Sequence, residues 1–484
     1  MINFHIIARL LSIMAFIQTT LLITAMIVGI CWQETHLENF VIAAIISFVV
    51  AMALHMYGRK PSTKITRREG YLSVVLTWLL FSVLGSIPFA LSVENIRVSE
   101  AFFEAMSGFT TTGATIMTNL DEQPHSLLMW RSMSHWFGGL GIIFFTIALL
   151  PSIRGGAIKL FAAEATGLKL GKLHPRVNTT ARWICTIYIF LTLVCTGAYY
   201  LSGMDIFDAT NHAMSTIATG GFSTHDSSIA YFQSPLIEYV ACFFMFVSGM
   251  NFTLIYIVLA KHKFKQAFSN SELKAYAAIM VCTTLIIAAY SIATSGNIEA
   301  GFRNSLFQVV SLQTTTGFVT YDFTLWPAAI VVLIYLTAII GPMAGSTGGG
   351  MKCVRIVSSF KLLSNELNHL LHPRAVLPIR IGENTLSGTV IRTVFAFFVV
   401  YVLLLIISII AYLCMGLPLL DAYGVSASLL GNIGPALGHE VNSAGLMNML
   451  PDAGLWLGSF LMLAGRLEIF AVLLPLFPAF WKKD

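Results

Sequence analysis

The sequence predicts an all-α polytopic membrane protein. It consists of four tandem helix–re-entrant short helix–helix repeats in fourfold pseudosymmetry, preceded by an N-terminal two-helix hairpin, with about ten spans. First, 56% of the 484 residues are hydrophobic and 11% charged, and mean hydropathy is +0.79; a water-soluble domain cannot bury that much apolar surface. Second, apolar runs of about 18 residues or more recur, each able to cross a hydrocarbon core of roughly 30 Å as a helix. Third, four short half-apolar segments lie between these runs, each followed by a burst of Thr, Gly and Ser in one register.

The predicted spans are 10–32, 39–57, 71–93, 128–152, 183–203, 235–260, 275–295, 326–343 (continuing irregularly to about 362), 390–415 and 454–480. The apolar stretch after Arg9 exceeds a signal-peptide core and no small-x-small site follows it, so it reads as a retained span. The implied units are a hairpin over 1–68 and repeats over 69–180, 181–270, 271–385 and 386–484.

Charge alternates between the loops. Arg59, Lys60, Lys64, Arg67 and Arg68 follow the second span. Arg154, Lys159, Lys169, Lys172, Arg176 and Arg182 follow the fourth, and Lys261, Lys263, Lys265 and Lys274 the sixth. Lys352, Arg355, Lys361, Arg374, Arg380 and Arg392 precede the ninth, and Lys482 and Lys483 end the sequence. The intervening loops carry Glu34, Glu94, Asp121, Glu122, Asp205, Asp208, Asp226, Asp322, Glu440 and Asp452. By the positive-inside rule the basic loops and both termini are cytoplasmic, which requires an even number of spans. The seven cysteines are scattered and form no C-x-x-C pair, so they read as small buried hydrophobes rather than a zinc or redox site.

The four bursts align. Glu100–Ser107 precedes Gly-Phe-Thr-Thr-Thr-Gly113; Asp208–Ser215 precedes Thr-Ile-Ala-Thr-Gly-Gly221; Asn304–Ser311 precedes Leu-Gln-Thr-Thr-Thr-Gly317; Asp421–Ser428 precedes Leu-Leu-Gly-Asn-Ile-Gly434. In each, a Ser stands six positions before a Gly, and an Asp, Glu or Asn stands seven before the Ser. One such run is an ordinary turn; four in register, each between two spans on one membrane face, imply an internal repeat. Irregular backbone at membrane depth is tolerated only where it lines a cavity or is buried in protein. Four such loops around one axis aim carbonyls at a shared centre, where they can replace the hydration shell of a large monovalent cation. The glycines let the carbonyls turn inward, and Thr111, Thr219, Thr315 and Asn432, two residues earlier, supply a second ring of oxygens. The acidic or Asn residue suits a helix start, which leaves the negative helix end facing the ion.

On these residues the loops resemble the potassium-channel filter, with Thr-Thr-Gly in the first and third copies where that filter has Thr-Val-Gly. Four repeats in one chain, one filter Gly per repeat, resemble the Trk/Ktr/HKT superfamily of K+ transporters, and the extra hairpin is similar to its bacterial Trk branch. Arg131–Gly141 also resembles that family's first post-filter helix. The resemblance implies a K+ filter at Thr111, Thr112, Gly113, Thr219, Gly220, Gly221, Thr315, Thr316, Gly317, Asn432, Ile433 and Gly434. No second Gly follows, since Ala114, Phe222, Phe318 and Pro435 stand next, so a shorter filter with fewer ion sites is expected.

Gly341-Pro-Met-Ala-Gly-Ser-Thr-Gly-Gly-Gly350 cannot be continuous helix in lipid. By resemblance Gly345, Ser346, Thr347, Gly348, Gly349 and Gly350 form a gate beneath the filter, with Arg466 projecting opposite. A phosphate-binding loop is excluded by Met351 before Lys352 and the absence of a following Ser or Thr. A charge inside a span marks a pathway or an ion pair, and Glu468 stands near Arg466.

The resemblance further implies K+ as the transported ion, a bacterial inner-membrane location, a homodimer with one pore per protomer, and a cytosolic RCK-type, TrkA-like ring that binds NAD or ATP. No nucleotide fold is found in the sequence, and no nucleic-acid partner is expected. A symporter coupling K+ to H+ or Na+ is the alternative; inverted repeats and midplane acids would mark it, whereas here the repeats share one orientation and the acids inside spans are Glu468 and Glu238. An enzyme is not expected: no second His follows His439-Glu440 at zinc spacing, and no Ser/His/Asp grouping stands out.

Overall fold

The computed structural model describes residues 2–59, 65–144, 177–372, 380–381, 384–385, 388–438 and 445–482. The hairpin α1 (Phe4–Cys31) and α2 (Glu38–Tyr57) leads to α3 (Arg67–Ser92), the short α4 (Val98–Phe109) and α5 (His125–Phe144). Then follow α6 (Val177–Leu201), the short α7 (Ile206–Ala218), α8 (Pro235–Ser248), α9 (Phe252–Leu259) and α10 (Phe264–Phe268). The third unit holds α11 (Ser271–Ser295), the short α12 (Ile298–Gln313), α13 (Ala328–Ile340) and α14 (Cys353–Leu371). The last holds α15 (Gly388–Cys414), the short α16 (Leu419–Gly431), α17 (Asp452–Arg466), α18 (Phe470–Leu473) and α19 (Pro478–Trp481). Among the described residues the extended pairing is a two-residue antiparallel ladder, Arg380–Ile381 with Asn384–Thr385, and a single parallel bridge between Thr115 and Leu446.

Six helices are individually long and apolar enough to cross a membrane, or eight crossings if each of two bent pairs counts as one. Helix is the economical solution in lipid, where every main-chain polar group must be satisfied internally. The expected fourth span is helical to Phe144; its remainder lies outside the described residues, as do Lys60, Lys64, Arg154, Lys159, Lys169, Lys172, Arg176, Arg374, His439, Glu440 and Lys483.

Two spans expected to be continuous are broken. The 235–260 run bends by 102° between α8 and α9, and the 454–480 run bends by 116° between α17 and the helix after it. At the first break Asn251 caps α9, its side chain accepting from Thr253 N at 2.8 Å. At the second, Glu468 and Ile469 both have positive φ, 60° and 54°, which a helix cannot accommodate.

The short helices run 12, 13, 16 and 13 residues. Glu100, Asp208 and Asp421 each sit in the first turn, where a carboxylate meets free N–H groups. Asn304 does not: α12 begins earlier, capped by Asn297, with Glu299 in its first turn.

Packing is cyclic. Each short helix lies against the two long helices of its own unit and against the second helix of the preceding unit: α7 on α5, α12 on α8, α16 on α13, and α4 on α17. Buried polar groups tie the layers, as an unpaired one in an apolar interior is costly. Gln18 on α1 donates to Phe81 O (3.0 Å), Trp78 Nε1 to Phe109 O (3.2 Å) and Trp130 Nε1 to Gly85 O (3.1 Å).

Candidate functional site

Each short helix ends in a loop of the same backbone form. The residue before the aligned glycine donates its N–H to the carbonyl of the repeated serine: Thr112 to Ser107 (2.9 Å), Gly220 to Ser215 (2.8 Å), Thr316 to Ser311 (2.9 Å) and Ile433 to Ser428 (3.0 Å). Thr111, Thr219, Thr315 and Asn432 are all left-handed, with φ of 51°, 53°, 57° and 50°. Gly113, Gly221, Gly317 and Gly434 follow at φ of 83°, 86°, 85° and 95°, where glycine alone is unstrained.

The loops close a circle. A Cβ at Gly113 would collide with the Gly220 carbonyl oxygen, one at Gly221 with that of Thr316, and one at Gly317 with that of Ile433; one at Gly434 would lie 2.7 Å from that of Thr112. Thr112 and Thr316 turn their hydroxyls back to Thr110 Oγ1 (2.8 Å) and Thr314 Oγ1 (2.7 Å). The buried Thr111 Oγ1 and Asn432 Oδ1 have no hydrogen-bond partner among the described residues, while Asn432 Nδ2 donates to Thr112 Oγ1 (3.0 Å) and Met462 O (2.9 Å).

The segment from Gly341 to Lys352 interrupts helix between α13 and α14 and bonds groups of the second, third and fourth units. Arg466 donates to Thr347 O (2.6 Å) and to Gly138 O on α5 (3.1 Å). Thr219 Oγ1 donates to Thr347 Oγ1 (3.2 Å), Gly349 N to Thr315 Oγ1 (2.7 Å) and Gly350 N to Gly431 O (2.8 Å). Met343 N donates to Gly249 O and Phe252 N to Gly345 O, both at 3.0 Å, so the segment packs into the break between α8 and α9. Asn251 Nδ2 donates to Ala344 O (2.7 Å), Glu272 Oε1 accepts from Ala344 N (2.7 Å), Ser346 Oγ donates to Met343 O (2.7 Å), and Lys352 Nζ bonds Gly348 O.

Glu468 does not pair with Arg466; it meets Arg355 of α14 at 2.5 Å. Glu238 pairs with Arg303 at 2.5 Å. Asn251, Glu272 and Arg355 thus belong to the site although sequence reasoning did not single out their roles. A Gly-x-Asn inside an apolar run was the available signal for the first.

A cavity of about 240 Å³ is lined by Gly113, Gly221 and Gly317 together with Arg131, His225 and Asp226. Beside it His225 bridges Asp208 (3.0 Å) and Asp121 and stacks on Tyr231, 3.5 Å between ring centres. Burial disfavours its charged form, but hydrogen bonds to Asp208 and Asp121 outweigh this and hold the imidazole above its usual range.

Long apolar helices around a closed circle of loops define an all-helical membrane protein. A family model described as TrkH, cation transport protein, matches residues 36–483. The Trk system potassium uptake protein TrkH of Escherichia coli K12 is 36% identical, over 99% of this chain and 100% of its own. TrkG of the same organism is 33% identical over 99% of both chains. The crystal structure of the potassium transporter TrkH from Vibrio parahaemolyticus superposes with a TM-score of 0.91 at 35% identity, covering 99% of this chain and 100% of that one. The chain belongs to the TrkH family of cation transport proteins.

Proposed function

We propose that the chain takes up K+ across the bacterial inner membrane through a channel-like pore. The selectivity filter is formed by Thr111–Gly113, Thr219–Gly221, Thr315–Gly317 and Asn432–Gly434, and the gate by Gly345–Gly350 with Arg466. The observation that carries this reading is the circle of four left-handed loops with a cross-linked segment over one side. The orphaned oxygens of Thr111 and Asn432 support it, because buried acceptors without donors suit a cation. That the relatives named above are potassium uptake proteins supports K+ as the ion carried. Glu468 and Glu238 are ion-paired and Glu272 is held by the Ala344 N–H, which favours a pore over a symporter with a free titrating carboxylate. Opening then requires the 341–352 segment to leave, driven through a cytosolic nucleotide-binding RCK-type ring on a homodimer.

Uptake of Rb+ into liposomes holding the full chain, competed by K+ and by Na+, tests this, with Gly317→Ser as the reference variant. K+ should compete well and Na+ poorly, and the variant should lose that preference, since any side chain at φ 85° is strained and meets the Ile433 carbonyl. Uptake with no preference between the ions, or a variant identical to the parent with the regulatory ring present, sinks the filter assignment.

A further inference from the structure

The geometry points to Glu104 and Arg131 as positioning residues for ion selectivity, a buried ionic strut that sets the spacing of the filter from its outer side. This rests on the filter reading above.

Both side chains are almost wholly buried, and Arg131 Nε meets Glu104 Oε1 at 2.9 Å. Glu104 lies on α4, three residues before the repeated serine. Its carboxylate accepts from Thr115 Oγ1 (2.9 and 3.0 Å) and from Ile116 N (2.9 Å), in the stretch that follows Gly113. Arg131, on α5, also donates to Thr115 Oγ1 (3.1 Å) and to Ser223 O (2.9 Å), two residues past Gly221. Its guanidinium stands 4.1 Å over the ring of Phe222, the residue next to that glycine. Thr115 in turn pairs with the fourth unit: its N donates to Gly445 O (2.9 Å) and its carbonyl accepts from Met447 N (2.7 Å). One ion pair therefore holds the exits of three loops.

The other units hold this position less firmly. His212, three before Ser215, meets Ser223 Oγ at 3.0 Å; Gln308, three before Ser311, donates to Tyr321 O at 3.0 Å; Val425, three before Ser428, has no polar atom to offer. The loops are thus braced by an ion pair, an imidazole, an amide and an apolar contact in turn. The fourth unit meets the strut through Thr115, which bonds Gly445 and Met447, while Tyr335 OH separately holds Pro435 O at 3.0 Å. Carbonyl rings reject a smaller ion only if they cannot close around it, so strut and selectivity are coupled.

A strut that merely stabilised the fold would leave selectivity alone. The test is competition of Rb+ uptake by K+ and Na+ in liposomes holding the full chain, with thermal stability measured alongside. The variants are Glu104→Gln, Arg131→Lys and the double Glu104→Met with Arg131→Met. Replacing both members of a buried pair by apolar residues commonly preserves folding. The double variant should therefore fold yet show a K+ over Na+ preference reduced by about tenfold; Glu104→Gln should show the same loss. A folded double variant with the parent's preference overturns the proposal. If the double variant does not fold, Thr115→Val, which removes the shared hydroxyl, carries the test: a weakened preference supports the strut and an unchanged one overturns it. Gly317→Ser runs in parallel; if it too leaves selectivity unchanged, the filter assignment has failed, whereas if it alone alters selectivity, only the strut has.

Discussion

At Arg466 a buried guanidinium gives two donors to main-chain carbonyls, Thr347 at 2.6 Å and Gly138 at 3.1 Å, while its Nε has no partner among the described residues. A hydrogen bond from a charged donor is worth about 1.5–3 kcal/mol net. Arg466→Ala should therefore raise partner-free Rb+ uptake by at least about tenfold; uptake at the parental rate would show that the contact is not a seal. His225 allows a pH prediction. Its folded value lies above the unfolded one, so its stabilisation is complete below about 6.5 and is lost as pH rises through the folded value. The Tm gap between parent and His225→Gln should thus shrink from about pH 6 to about pH 9; Asp121 and Asp208 pair with the ring and His212 stands nearby. At this scale the common register of the four loops was legible because the Ser-to-Gly spacing is a local property of one loop. The partner of Glu468 was not: Arg466 is adjacent in sequence, but the helix break turns Glu468 toward Arg355, more than a hundred residues away.

Among elements, the breaks are what sequence reading missed. Hydropathy averages over a window, and Gly249-Met250-Asn251 or Leu467-Glu468-Ile469 scarcely lowers the mean of an apolar run. What ends α8 is tertiary: Gly249 O and Phe252 N bond Met343 N and Gly345 O, groups some ninety residues distant. The 341–350 interruption, by contrast, was legible because ten residues rich in Gly with one Pro cannot remain helical. Asn251 joins the two, capping α9 and holding Ala344 O at 2.7 Å. Asn251→Ala should cost about 1 kcal/mol of stability through the lost cap. It should also raise uptake by freeing the segment, read as a lowered Tm together with faster Rb+ entry. A lowered Tm with unchanged entry would confine Asn251 to the fold.

Across the whole molecule, charge sorts to two ends. At one, His5 Nδ1 meets Tyr57 O (2.8 Å), Asn3 N donates to Glu69 Oε1 (2.8 Å), and Arg68 meets the Lys482 carbonyl, so the N-terminus, the α2–α3 connection and the C-terminal segment converge. At the other, Glu34 accepts from Ser126 Oγ (2.5 Å) and Arg97 pairs with Asp452 (2.8 Å), joining the α1–α2 turn, the α3–α4 turn and the ends of α5 and α17. Convergence of the two termini requires an even number of crossings, and by the positive-inside rule the basic residues Arg59, Lys261, Lys263 and Lys265 in the connecting segments predict that both termini are cytoplasmic. On that orientation the acidic end should attract cations to the opposite side. A periplasmic reporter such as alkaline phosphatase fused at either terminus should be inactive, whereas a green fluorescent protein at the C-terminus should fluoresce. An active phosphatase at one terminus alone would make the crossing number odd, and at both would invert the molecule, placing the 341–352 segment on the outer side of the circle and removing its role as an inner gate.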